Sequence, residues 1–402
     1  MSENFGYKLD LINQMNDKTP SCSTLKLNKK EYISSSNIKY YIVNYDKNIL
    51  SNDLISEYGI YRSVILNQDN KIICFSPPKS ISYNIFTGKY PEKQANIVAQ
   101  EFIEGTMINV FWDEKIGLSG GWEICTKKNI GANNVFYQNT KTFREMFLEA
   151  IKANNLNLDL LNKNYCFSFV LQHPDNRIVV RFEKPQLYLI ACYCFFQTDN
   201  SSPIVMECDI NYIKEIMQLN TGIKFPTTYT WNNYKELENT FGSENTNYEI
   251  VGVMIINKQT GERTKIRNPV YEKIRNLKGN QSKLKFQFLS LRKSGKISEY
   301  LKYYPENKYH FLDFKDEIHN FTHTLFTNYI SCYIKKEKPL IQFTPQFRTH
   351  MYMLHKLYIT SMRDKKTHIS KQTVIDYIYH MDVPLLLNSL NYQLNRKRVA
   401  EN

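Results

Sequence analysis

Two things are missing from this 402-residue sequence: paired cysteines and an apolar run of membrane length. The eight cysteines stand at positions 22, 74, 125, 166, 192, 194, 208 and 332, with no Cys-x-x-Cys and no recurring spacing. That pattern indicates neither a zinc site nor a disulfide framework. Cys192 and Cys194 alternate along an apolar stretch, where a free cysteine serves as a small apolar side chain. The longest apolar run, Leu187 to Phe196, has ten residues, against the roughly 20 that a helix needs to span a bilayer. It predicts a buried strand and no membrane partner. Met1 to Asp10 contains no apolar segment of the kind that directs export, so a cytoplasmic location is expected. Seven of the eight histidines lie beyond residue 309. His319 and His323 would share a helix face at i, i+4, yet no third ligand stands at suitable spacing, and no metal site is expected. No internal repeat and no low-complexity linker interrupts the chain.

What is there in excess is positive charge, and it is unevenly placed. Residues 256–402 hold 27 Lys+Arg against 12 Asp+Glu, whereas residues 1–255 hold 25 against 27. A field of one sign on one part of a molecule concentrates the opposite charge, which points to nucleic acid, a membrane surface or an acidic partner, with RNA as the first candidate. The competing reading is a solvated lysine-rich surface, since Asn, Ile, Lys and Tyr are abundant throughout.

The length suits two or three domains, and the pattern changes once. From about residue 39 to 270, β-branched and aromatic runs predict strands at Tyr40–Val43, Arg62–Leu66, Lys71–Phe75, Thr106–Trp112, Arg177–Phe182, Leu187–Phe196 and Ile250–Ile256. Asn257–Gly261 reads as the turn of a hairpin that continues into Arg263–Arg267. Helical spacing predicts helices at Phe143–Ile151, Ile210–Leu219 and Tyr234–Phe241. After Pro269 everything reads as helix: a long stripe from Phe314 to Tyr333, then helices near 345–361, 370–381 and 385–397. The expected class is α+β, antiparallel sheets with helices in residues 1–270 followed by a basic all-α domain in residues 271–402. Met351, Met353 and Leu354 are read as core.

Four segments stand in a telling order: Ile103-Glu104-Gly105-Thr106 leading into a strand, Phe167-Ser168-Phe169-Val170 with Asn176-Arg177-Ile178-Val179 behind it, Val251-Gly252-Val253, and Thr264-Lys265-Ile266-Arg267. This order resembles the nucleotidyltransferase core of the bacteriophage T4-type RNA ligase 1 family, over roughly residues 55–270. It is also similar to proteins of large DNA viruses that carry such a domain. The resemblance implies an ATP-grasp-like RNA/DNA ligase core, RNA and nucleotide as partners, and, for a viral protein, the cytoplasm of an infected host cell and other viral proteins as further partners. For an active ligase it implies ATP and Mg²⁺ as well. In such chemistry a lysine amine attacks the α-phosphate of ATP, basic side chains neutralise the phosphate, and carboxylates hold ribose and metal.

Matched residue by residue, the motifs are uneven. Phe102 stands two residues before Glu104, where the family has its nucleophilic lysine, and a phenyl ring cannot form a phosphoramidate. Ser168 and Val251 replace two carboxylates, with Glu249 a nearby substitute on the expected strand. Lys265 and Arg267 alternate, so both face one way and can grip a phosphate. The expected site is therefore a phosphate-binding set, Glu104, Gly105, Arg177, Lys265 and Arg267, with no catalytic lysine and no metal. A relocated lysine is the alternative: Lys79 in Ser76-Pro77-Pro78-Lys79-Ser80, or Lys127 and Lys128. The glycine-rich Gly117–Gly121 and Asn129–Ala132 read as turns, and Trp112 and Trp122 as strand aromatics or base-stacking platforms. The reading that follows is an RNA-binding protein on a ligase-like core without covalent catalysis. An active ligase and a protein scaffold are the alternatives.

Overall fold

In the computed structural model the described residues are 6–16, 27–48, 50–51, 54–135, 141–198, 202–218, 221–281, 283–393 and 396. Cys22 and the residues beyond 396 lie outside them. The chain forms two compact units, Met1–Arg275 and Asn276–Asn402.

Three antiparallel sheets build the first unit. The largest has seven strands in the order Gly6–Lys8, Ile204–Glu207, Gln186–Phe196, Tyr165–Gln172, Thr106–Asp113, Gly121–Thr126 and Asn129–Ile130. Its strands are apolar on both faces because it is covered on both. Phe111, Cys125, Cys166, Ala191 and Tyr193 point into one core, shared with the four-stranded sheet Leu27–Ile33, Lys39–Tyr45, Val64–Asn67, Ile72–Phe75. Ile108, Val110, Phe167, Phe169, Leu187 and Leu189 point into the opposite core, which the helix Phe143–Ala153 closes with Phe143, Met146, Phe147 and Ala150. Alternation with period two thus feeds two cores at once. That helix starts where the sequence says it should: Thr142 and Glu145 form a reciprocal capping box. The third sheet runs Thr228–Tyr229, Ile97–Glu101, Gly252–Asn257, Arg263–Arg267 and packs on the helices Tyr83–Lys89 and Tyr234–Phe241.

The second unit is helical: Leu284–Lys293, Ile297–Tyr303, Lys308–Tyr329, Pro345–Leu357, Lys371–His380 and Val383–Leu390. The long helix buries Phe311, Ile318, Phe321, Leu325 and Tyr329 along one stripe. No helix of the described residues is long and apolar enough to cross a membrane.

One expected strand is corrected. Arg177–Phe182 forms no strand, although its residues suit one. The backbone N–H groups of Val179 and Val180 donate to the Glu104 carboxylate, at 2.9 and 3.1 Å, so they are not free for a ladder.

Candidate functional site: a cationic cleft in the first unit

The Glu104 bonds join two motifs about 70 residues apart. Asn176, buried in the same loop, donates from Nδ2 to Thr106 Oγ1 at 2.8 Å. Tyr271 adds its hydroxyl to the Glu104 carboxylate, and burial still pushes that carboxyl above its ordinary pKa. Glu104 therefore acts as a buried clamp for the 178–180 loop. Gly105, the next residue, has φ +149°, and a Cβ there would stand 2.5 Å from the Leu171 carbonyl oxygen. Only glycine lets the chain turn here into the Thr106–Asp113 strand. Gly252 repeats the device at the start of its strand, with φ +137° and a Cβ 2.1 Å from the Ile266 oxygen.

Between these elements opens a cleft of about 470 Å³. Its floor is one face of the Arg263–Arg267 strand, where the alternation predicted for Lys265 and Arg267 extends to Arg263. Met254 and Gln100, opposite Lys265 across the sheet, continue that floor. Gly105, Met107 and Val170 form a second wall, and Tyr45, Arg62 and Pro78–Ser80 a third.

Phe102 lines the cleft. The Arg267 guanidinium lies 5.3 Å from the centre of its ring and the Lys265 ammonium 5.8 Å. Lys79, Lys127, Lys265 and Arg267 all reach the same space. Sequence reasoning missed Lys47, Arg62, Arg263 and Arg275, which also line it. Only Arg263 left a signal, two residues before Lys265 in the alternation. Arg177 and Glu249 are not brought in. Arg177 turns back on its own loop, its Nε donating to Val179 O at 3.0 Å. Glu249 sits exposed in a turn, its N–H donating to Asn247 Oδ1, and not on the strand, which begins at Gly252. Lys128 is exposed, and Trp112 and Trp122 pack edge to face, their centroids 5.5 Å apart, outside the cleft lining.

The charge in the cleft is poorly compensated. Glu101 is the one carboxylate among its described lining residues, and it accepts from Thr227 N and Oγ1 at 3.2 and 3.1 Å. Glu272 pairs with Arg267 and Arg275. Lys47, Arg62, Lys79, Lys127 and Lys265 form no ion pair among the described residues. Desolvation, and then the Arg62, Lys47, Lys128 and Lys79 charges, push Lys127 down to about 7. Desolvation, and then Arg267, Arg62 and Lys79, push Lys265 down to about 8. Lys79 is lowered for the same two reasons, burial and Arg62. At the back of the cleft Arg263 is buried, and its Nε has no hydrogen-bond partner among the described residues.

Where the resembling family has a second carboxylate, Ser168 takes part in a neutral chain. Its hydroxyl donates to Asn109 Oδ1 at 2.8 Å, and Asn109 Nδ2 donates to Ser76 Oγ at 2.7 Å. Val251, at the third carboxylate position, is buried. Among the described residues no group of three or more His, Cys, Asp or Glu is placed to hold a metal ion. The donor set suits phosphate and does not suit a divalent cation, which needs several oxygen ligands. In the second unit His319 and His323 are exposed and line a separate cavity of about 510 Å³.

No family model matches the chain. A curated RNA ligase of Rhodothermus phage RM378 is 29% identical over 205 residues, which is 44% of this chain and 45% of that protein. The chain thus spans less than half the length of that relative. Among solved structures, an archaeal ATP-dependent RNA ligase shares 8% identity, with a TM-score of 0.40 over 67% of this chain and 63% of that one. A Naegleria gruberi RNA ligase mutant solved with ATP and Mn shares 12%, with a TM-score of 0.35 over 67% and 84%. The first unit is an α+β core of antiparallel sheets and helices, and a helical unit follows it.

Proposed function

We propose that this protein binds phosphorylated RNA, an RNA end or a nucleotide phosphate, in the cleft of the first unit and transfers no nucleotide covalently. The observation that carries the reading is Phe102. At the position two residues before Glu104 a ring faces Lys265 and Arg267, inside an open cleft rich in cations. Lys265 and Arg267 grip a phosphate, Gly105 allows close approach of the backbone, and Glu104 acts from behind by holding the loop. Arg177 supports that loop and does not contact ligand. The net positive charge of residues 256–402 supports a role for the helical unit in holding the rest of the RNA. ATP phosphates fit the cleft as ligand, not as a source of a covalent adduct. An open cleft favours binding over a purely scaffolding role.

The test is direct. Incubation with α-labelled ATP and a divalent metal, followed by denaturing electrophoresis, leaves no labelled protein, while oligoribonucleotides bind with an affinity that falls steeply with salt. Binding that ignores salt overturns the reading. One observation favours an active nucleotidyltransferase as second reading: Lys127 is lowered to about 7, the range of a nucleophilic amine. A labelled band lost in Lys127→Ala or Lys79→Ala supports that reading instead.

A further inference from the structure

We infer that the cleft takes its phosphate ligand as an unchelated polyphosphate, with protein cations in the place of a divalent metal. The inference rests on the phosphate-binding reading above and adds the form in which the ligand arrives. A triphosphate carries about four negative charges at neutral pH and normally travels with Mg²⁺, a cation that keeps octahedral oxygen coordination and is bound through carboxylates and phosphates. The described residues lining this cleft offer one carboxylate, Glu101, already accepting two hydrogen bonds from Thr227. The other side-chain oxygens among its described lining residues are neutral ones, on Tyr45, Ser80 and Gln100.

Cations are oversupplied in the same space. Arg62, Lys79, Lys127 and Lys265 lack ion pairs among the described residues, and buried Arg263 presents an unpartnered Nε. Desolvation and then the neighbouring cations depress Lys127 and Lys265, and the negative charge of a bound polyphosphate offsets that repulsion. Mg²⁺ chelated to the phosphates would reduce the charge these side chains meet and would itself be repelled. Magnesium therefore competes with the cleft for the ligand.

The experiment measures binding of ATP and of a 5′-triphosphorylated oligoribonucleotide to the full chain, in EDTA and in millimolar Mg²⁺ at matched ionic strength. Affinity in EDTA equal to or several-fold above that in Mg²⁺ supports the inference, as does its loss in Lys127→Gln/Lys265→Gln with an unchanged or raised melting temperature. Binding that appears only with Mg²⁺ overturns this inference and leaves the phosphate-binding reading intact. No binding in either buffer overturns both. A double variant that binds as tightly as the parent overturns the placement of the ligand in this cleft.

Discussion

Arg267 holds its guanidinium 5.3 Å from the centre of the Phe102 ring, with the Lys265 ammonium 5.8 Å from the same centre. An aromatic face attracts a cation through its quadrupole, so Phe102 helps to keep two like charges side by side. A lysine at 102 would instead add a third positive charge to the group. In the proposed reading, the ring at 102 and the phosphate grip form one arrangement.

Replacing Phe102 separates its two effects. Each of the two cation–π contacts is worth about 0.5–1 kcal/mol at a partly exposed site, so Phe102→Ala weakens binding of phosphorylated RNA by up to roughly fivefold to thirtyfold. Phe102→Lys is expected to gain no covalent nucleotide, because Ser168 and Val251 still supply no carboxylate. Denaturing electrophoresis after incubation with labelled ATP reads the second outcome, and a labelled band in that variant shows that lysine loss alone silenced the core.

The cleft lysines impose a pH dependence with a definite sign. Lys127 and Lys265 sit at about 7 and about 8 in the empty cleft, and a bound phosphate raises both. Binding then takes up protons, and affinity declines as pH rises from about 7 towards 9, a range in which phosphate esters are already ionised. The unfolded chain, with ordinary lysines, binds more protons than the folded one above about pH 7, so stability of the empty protein rises over that interval. Lys127→Met removes a half-buried charge surrounded by like charges. It should raise Tm and weaken RNA binding together, as seen in parallel melting and titration experiments.

Much of this fold is legible in the sequence. The central strands announce themselves because the seven-stranded sheet buries both faces, leaving runs such as Leu187–Phe196 apolar throughout. Leu27–Ile33 was missed because it is an edge strand carrying Lys29, Lys30 and Glu31, side chains that need no core. Lys265 and Arg267 follow from alternation, whereas Arg62, Lys47 and Arg275 are isolated charges that look solvated until tertiary structure brings them to one cleft. Arg177–Phe182 misled for the opposite reason. Its β-branched residues suit a strand, but a carboxylate about 75 positions away takes its amides. Propensity carries no trace of so distant an acceptor.

Glu104 should behave as a structural group in titration and mutation. Glu104→Ala leaves the amides of Val179 and Val180 and the Tyr271 hydroxyl without their acceptor, at a cost of at least about 3 kcal/mol given about 1–3 kcal/mol for each buried group left unpaired. Glu104→Gln keeps one acceptor and should lose less. Burial raises the folded-state pKa, so the protonated form favours folding. The stability this contributes is complete below the unfolded carboxyl value and is lost as pH rises through the folded one. Chemical denaturation at acidic pH checks both points: the glutamine variant should flatten the parent's slope in that window.

The Ser168–Asn109–Ser76 chain supports the proposed binding role without covalent chemistry. Ser168 and Asn109 are fully buried, and the chain pairs their side chains without a formal charge. Ser168→Ala leaves Asn109 Oδ1 without this donor, a loss of about 1–3 kcal/mol. Ser168→Glu, which restores the residue type of the resembling ligases, must place a longer, charged side chain in space that the present packing fills. Burying an unpaired carboxylate costs several kcal/mol. The glutamate variant is therefore expected to be less stable than the alanine variant and to show no nucleotidylation. A denaturant midpoint for Ser168→Glu equal to that of the parent would mean that the site still accommodates the carboxylate, and would return the active ligase reading to first place.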